Sequence, residues 1–509
     1  MTLTGLEAIR AERLRALGVR ESAIRDSAAT RPMSLRKSAS HIRVFQWNVL
    51  ADGLADDGFL VADVLENWPV GEGMLPDTGG SAAKLGELAR ELASVNGLAP
   101  EQRDRKLRNL VARFNTPVAR ANLASVVDWR ARAARIQAEI VAADPDLIAL
   151  QELDHFEEFA RNLEKHGYEC GMPGALERYT PVHRANIPVG NADAYLRHLL
   201  AAGVAFAPSL PSTARKIALK SGNAGADCAG VALFWKRDAF KLTRLEYLTY
   251  IGAKERMGGK SKGALKAVLT CSKAGGEEFH FMTAHFASGS TVEGEQARVN
   301  GDLLGIAHVL ASDMTPPTAC TGIREWLATS AAKAPTVLAL DANATPEIRS
   351  IIGRTEPTVW SVLHGLDGVA SVWDWWYRRS GARRAGVSLP VPVSKNKLRG
   401  PLSGQQRKIG LHAHCLIDHI YFSSSRLKLD AHVRPPLRHH SAEAALGSLL
   451  PTLANPSDHV PVIVDFVMAK QEVQPEECVL KRKLVERKFP AKRARMVDVS
   501  IAEVAPMGA

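Results

Sequence analysis

The segment His41-Ile42-Arg43-Val44-Phe45-Gln46-Trp47-Asn48-Val49-Leu50 does most to limit what this chain can become. Its β-branched and aromatic residues suit a buried, pleated strand. The run stops on the polar group Gln46-Trp47-Asn48. The same grammar returns in Leu150-Gln151-Glu152, Thr283-Ala284-His285, Leu340-Asp341-Ala342-Asn343, Ile417-Asp418-His419 and Ser457-Asp458-His459. Polar groups at strand tips are how a rigid scaffold presents a site. Alone, each group reads as a turn, a cap or a surface charge. Together they call for one constellation at one end of a sheet.

Between these tips the pattern alternates helix and strand. Trp129, Ala133, Ile136 and Ile140 recur at helical spacing over 128–143, and Pro145 ends that helix. The strand Leu147–Leu150 follows, then a helix over 156–166. Strands are expected at 231–235, 242–250, 264–271, 278–284, 336–340, 415–422 and 460–466, and a helix at 293–311. Residues 55–127 read as an insertion with its own helices, and 171–226 as a second, irregular insertion. Residues 390–410 read as a basic loop. The fold class is α/β: a four-layer sandwich of two packed mixed sheets flanked by helices, with insertions. The catalytic domain is expected to run over 41–468, between a helix-prone polar extension (1–40) and a basic, disordered tail (469–509).

The 509 residues carry a formal net charge of +11, which favours a polyanionic partner. Six scattered cysteines form no CxxC pair and no zinc spacing, which suits free thiols in a reducing compartment. No membrane span and no secretory leader are expected. The tip residues are carboxylates, amides and imidazoles without thiolates, a donor set for a hard cation such as Mg²⁺, with Mn²⁺ as the alternative.

The order WN, QE, TxH, DxN, ID and SDH resembles the endonuclease/exonuclease/phosphatase superfamily, and within it the deadenylase-like branch of nocturnin, the Angel proteins and the carbon-catabolite-repression deadenylases. The flanks "RVFQWNVLADGLA", "DPDLIALQELDHFEEF", "GVALFWKRDAF", "CLIDHIYFS" and "NPSDHVPVIVDF" carry the likeness further. The resemblance implies a Mg²⁺-dependent phosphoesterase cutting phosphodiester bonds, with RNA and its 3′ end as the favoured substrate. It implies Glu152, Asn48 and Asp458 at the metal. Asp341 and Asn343 would position the attacking water and the phosphate. His459 would face the phosphoryl oxygens, oriented by Asp418, with His285 as a second phosphate contact. The chain departs from the pattern at Ala342, where an aromatic residue is common, and at Phe286-Ala287, where relatives carry Leu-Lys. His419 stands where Tyr is common, and neither it nor His155 is given a chemical role.

Three weaker signals remain. Lys395, Lys397, Arg399, Arg407 and Lys408 offer a phosphate-binding strip, with Lys397, Arg399 and Lys408 as the substrate-binding candidates. Trp373, Trp375, Trp376 and Tyr377 are expected in the core rather than stacked on bases. The basic clusters within 481–495 suit a nuclear-import signal, so the cytoplasm or nucleus is the expected compartment. The rival functions are a phosphatase of a small nucleotide or other metabolite and an inactive adaptor module. Protein partners are not legible.

Overall fold

The structure is a computed structural model. It describes residues 40–65, 81–184, 192–210, 229–250, 261–289, 291–346, 357–374, 391–403, 406–434, 437–439 and 444–469. The N-terminal extension through residue 39, Trp375, Trp376, Tyr377 and the basic tail lie outside the described residues.

The strands in chain order are β1 (Ile42–Asn48), β2 (Leu147–Leu153), β3 (Tyr168–Glu169), β4 (Phe206–Leu210), β5 (Gly230–Lys236), β6 (Phe240–Tyr250), β7 (Ser261–Lys262), β8 (Ala264–Cys271), β9 (Glu277–His285) and β10 (Ile306–Ala311). They continue with β11 (Thr318–Thr321), β12 (Thr336–Asp341), β13 (Val369–Ser371), β14 (Val391–Val393), β15 (Lys395–Leu398), β16 (His412–Cys415), β17 (Asp418–Ser423), β18 (Leu427–His432), β19 (Leu437–His439) and β20 (Val462–Met468). One mixed sheet has the order β18-β20-β1-β2-β5-β4-β7, with β3 also on β5. The other runs β11-β10-β6-β8-β9-β12-β17-β13. Their apolar faces share one core, in which Phe45, Ile148 and Leu233 of the first sheet join Leu265, Phe281 and Val337 of the second. Helices lie outside. Trp129, Ile136 and Ile140 of the helix Trp129–Ala143 join the first sheet's side of that core. Ile323, Trp326 and Leu327 of Gly322–Lys333 pack with Leu338 and Leu340 of the second sheet. This is the α/β sandwich expected from the sequence.

Local chemistry sets the element ends. Asp128 caps the helix Trp129–Ala143 by accepting from the Ala131 amide at 3.1 Å. Asp144 closes it in the left-handed region, just before Pro145. Residues 81–127 form three helices, Ser81–Ser94, Pro100–Phe114 and Pro117–Val127. Their apolar faces make a separate core with Phe59, Leu398, Ile409 and Leu446. That core ties the segment to the β15–β16 hairpin.

Four expectations are corrected. Residues 171–226 are not irregular where described: they hold the helices Ala175–Arg184 and Ala192–Ala202 and then β4, which pairs with β5. The helix expected over 293–311 stops at Leu303 after a π-helical turn, and Ile306–Ala311 becomes β10, paired with β6 and β11. Pairing from outside overrode the local helical pattern. The basic loop 390–410 contains β14 and β15, and β15 pairs with β16. The strand expected over 415–422 is two strands separated by Leu416-Ile417. Among the described residues, no helix is long and apolar enough to cross a membrane. Cys170 and Cys271 are buried, and Cys320 and Cys415 are half-buried.

Candidate active site

Register explains why the polar tips meet. β1 and β2 run parallel, with Asn48 opposite Gln151. β9 and β12 run parallel in the other sheet, with His285 opposite Asp341. Parallel strands end together, so these residues share one edge of the sandwich. β17 is antiparallel to β12 and starts there, with Asp418 opposite Asp341. Glu152, near the end of β2, and Asn343, just past β12, have φ of 57° and 47°. Such left-handed backbone costs a non-glycine residue roughly 1–2 kcal/mol, and strain of this kind gathers at functional sites.

Asp341 is the hub. Its Oδ2 accepts from Asn48 Nδ2 at 2.8 Å, a bond that crosses between the two sheets. Its Oδ1 accepts from the Asn343 amide at 2.8 Å. His285 Nε2 lies 3.4 Å from Asp341 Oδ2 and 3.7 Å from Glu152 Oε1. Asn343 Nδ2 donates to the Phe286 carbonyl at 3.0 Å and lies 3.1 Å from His285 Nε2.

His459 faces this group from the loop before β20. Its Nδ1 is 2.7 Å from Asp418 Oδ2, and both residues are fully buried. Burial favours the neutral imidazole, but the Asp418 carboxylate outweighs it and raises the His459 pKa. Burial likewise disfavours the Asp418 carboxylate, and the His459 charge with hydrogen bonds from Ser394 and Gln46 overturns this and lowers its pKa. Among the described residues His459 Nε2 has no hydrogen-bond partner, lying 4.0 Å from Asp341 Oδ2 and 3.9 Å from Asp458 Oδ1. A buried, unsatisfied ring nitrogen whose protonated form is favoured by a neighbouring carboxylate is a ready anion contact.

Ligand atoms of Asp341, Asp418 and His459 lie within 4.8 Å of one another. Asp418 nonetheless has both oxygens committed, Oδ2 to His459 and Oδ1 to Gln46 Nε2 at 2.7 Å. This trio therefore handles protons and anions better than it holds a cation. Glu152 is the more open carboxylate, and among the described residues its Oε2 accepts only a long 3.4 Å bond from the Ala51 amide. With the Asn48 side chain on the neighbouring strand, opposite Gln151, its oxygens fit a hard divalent cation.

The basic candidates separate. Lys397 Nζ is 2.6 Å from Asp458 Oδ2 and Lys395 Nζ is 3.7 Å from the same oxygen. Burial opposes the Asp458 charge, but Lys397 and Lys395 hold its pKa well below the usual carboxylate range. Burial also opposes the Lys395 charge, yet Asp458, Asp341 and Glu152 raise it above the ordinary lysine value. Arg399 is half-buried, while Arg407 and Lys408 are exposed. The Arg407 carbonyl accepts from Arg103 of the helix Pro100–Phe114.

Other residues behave as packing. Trp373 is buried and donates Nε1 to the Asp418 carbonyl at 3.0 Å. His419 Nε2 meets the Ala344 carbonyl, and His155 stacks on Trp129 beside Asp52. Sequence reasoning gave no role to Gln46, Gln151 or Thr283. Gln46 Nε2 donates to Gln151 Oε1 at 2.7 Å as well as to Asp418, and Gln151 Nε2 donates to Thr283 Oγ1 at 3.0 Å. The signal was available: Gln46 and Thr283 stand two residues before Asn48 and His285, on the same strand faces.

An α/β sandwich with carboxylates, amides and a carboxylate-held imidazole at one edge is the frame of a phosphoester hydrolase. The family model described as "Endonuclease/Exonuclease/phosphatase family" matches residues 95–459, and this chain belongs to that family. Its members are phosphoric-ester hydrolases, nucleases and phosphatases, which in general use a divalent metal. No curated protein matches the chain significantly. Among solved structures, the human Nocturnin catalytic domain with bound sulfate is 17% identical, with 86% of this chain and 100% of that one covered and a TM-score of 0.43. ANGEL2, described as a 2′,3′-cyclic phosphatase, is 14% identical, with 84% and 96% covered and a TM-score of 0.44. The D. rerio TDP2 complexed with single-strand DNA product is 13% identical, with 84% and 99% covered and a TM-score of 0.36.

Proposed function

We propose that this chain is a Mg²⁺-dependent phosphoesterase acting on phosphodiester bonds, with the 3′ end of RNA as its substrate. The observation that carries the hydrolytic reading is the pair made by Asp341 and the Asp418-held His459, with the free Nε2 of His459 directed toward the Asp341 side of the site. Glu152, with Asn48, would hold the Mg²⁺, which when bound neutralises charge on the phosphoryl oxygens. Asp341 takes the proton of the attacking water. Asn48 and Asn343 fix that carboxylate, one at each oxygen. His459, kept protonated by Asp418, donates Nε2–H to a nonbridging oxygen as the water oxygen bonds to phosphorus and the ester oxygen departs. His285 serves as a second contact to the phosphate.

One observation favours a phosphatase of a small nucleotide or metabolite as the second reading. Lys395 and Lys397 turn inward onto Asp458 and leave only part of the basic segment exposed for a polymer backbone. Asp341→Asn and His459→Gln are each expected to lower turnover about 100-fold or more in Mg²⁺. Wild-type turnover in either would remove that residue from the mechanism. The substrate is decided by giving the wild type tailed RNA and mononucleotides at several salt concentrations. An RNA enzyme loses affinity steeply with salt, and a small-molecule phosphatase does so weakly.

A further inference from the structure

We infer that Lys395 and Lys397 take the place of a second divalent ion, with Asp458 as their counter-ion, so that the site binds a single metal ion. The inference rests on the proposed metal-dependent function and deepens it.

Asp458 stands beside the site, and its Oδ2 faces two ammonium groups, at 2.6 Å from Lys397 and 3.7 Å from Lys395. Its side chain is 2% exposed and that of Lys397 is 8% exposed, so water does little to screen the pair. A divalent ion drawn to the same oxygen would meet two like charges at close range in a medium of low dielectric. The ammonium of Lys395 also feels Asp341 and Glu152, which brings positive charge to the place where phosphate oxygens would need it.

The position of the lysines does not depend on that ion pair. β15 is joined to the Asp458 loop through the backbone: the Asn396 amide donates to the Asp458 carbonyl at 3.3 Å and the Val460 amide to the Ser394 carbonyl at 2.8 Å. These two bonds make an antiparallel bridge between Lys395 and His459. Strand alternation sets Lys395 and Lys397 on one face and Asn396 on the other. There Asn396 Nδ2 donates to the Ala445 and Ser448 carbonyls at 2.9 and 2.8 Å, which fixes the rotation of the strand. From the far side, Phe59 places its ring 5.4 Å from Lys397 Nζ, and the Leu60 amide donates to the Leu398 carbonyl. The cations are built into the scaffold, and Asp458 closes onto them.

The test is Mn²⁺ binding to the metal-stripped full-length chain, followed by electron paramagnetic resonance without substrate. One tight Mn²⁺ per chain is expected, lost in Glu152→Gln and kept within about twofold in Asp458→Asn. Two tight ions in the wild type would overturn the inference, as would at least tenfold weaker binding in Asp458→Asn. The Lys395→Met, Lys397→Met double variant, checked for folding by thermal melting, is expected to gain a second ion at the released Asp458. A folded double variant that still takes one ion would sink the replacement. No tight Mn²⁺ in the wild type would count against the metal-dependent function itself, an outcome distinct from two.

Discussion

Gln46 joins the two halves of the chemistry with a single amide. Its Nε2 serves Gln151 on its own sheet and Asp418 on the other, and all three side chains are fully buried. Hydrogen bonds to charged groups contribute about 1.5–3 kcal/mol, and a buried carboxylate cannot replace a lost one from water. Gln46→Met is therefore expected to lower kcat roughly tenfold or more while KM changes little, because Asp418 loses part of what aims its other oxygen at His459. A pH–rate profile would check the cause: the limb belonging to His459 should move, and an unmoved limb with unchanged kcat would leave Gln46 a packing residue. At this scale the sequence was legible where a strand ended in a charge. Asn48, Glu152, His285, Asp341, Asn343, Asp418 and His459, each at or near a strand tip, lie together at one edge of the sandwich. The partner of Asp458 was hidden, since no local pattern ties it to Lys397, 61 positions earlier.

Elements were legible where their own periodicity agreed with their surroundings. The helix Trp129–Ala143 was, and its interior Arg132 was not. That guanidinium is fully buried; its Nη1 donates to the carbonyls of Val49 and Leu50 at 2.9 and 2.8 Å and of Pro456 at 3.3 Å. A residue that looks like a solvated helix face thus ties the turn after β1 to the loop carrying Asp458 and His459. Arg132→Met would leave those buried carbonyls unpaired, and a loss of about 3 kcal/mol or more in urea unfolding is expected. A shift within error would show that the loops hold without it. The β15–β16 hairpin escaped sequence reading because short, basic strands lack an alternating apolar signal. Close backbone contact fixes it as well: a Cβ on Gly400 would come 2.2 Å from the Gly58 carbonyl oxygen. Gly400→Ala should therefore displace the hairpin and weaken phosphate binding, measurable as a raised KM with a modest change in melting temperature.

Across the whole molecule, several buried or half-buried ionisable groups set the pH range of stability in one direction. Burial, with His439 and His412 nearby, pushes His414 down to about 4, and burial with His439 also lowers His412. The unfolded chain binds these protons more readily, so stability falls as pH drops below about 6.5. Glu246 acts later. Burial disfavours its charge, but Lys266 and Arg244 outweigh this and depress its pKa, so its contribution is present above its unfolded value and disappears as pH falls through the folded one. Urea midpoints are expected to fall from pH 7 to pH 5, and less steeply in His414→Gln; parallel curves would remove that histidine from the cause. The hydrogen bond from Asn48 to Asp341 has a separate consequence. Each sheet contributes only half of the reacting groups, so the centre exists only at the seam where the two sheets keep their alignment. A slide of an ångström along that seam would leave every strand paired and every helix wound, yet part the water-activating carboxylate from its amide. Heating should therefore silence turnover several degrees before the secondary structure melts, making activity the finest gauge of how firmly the two halves of the sandwich grip each other.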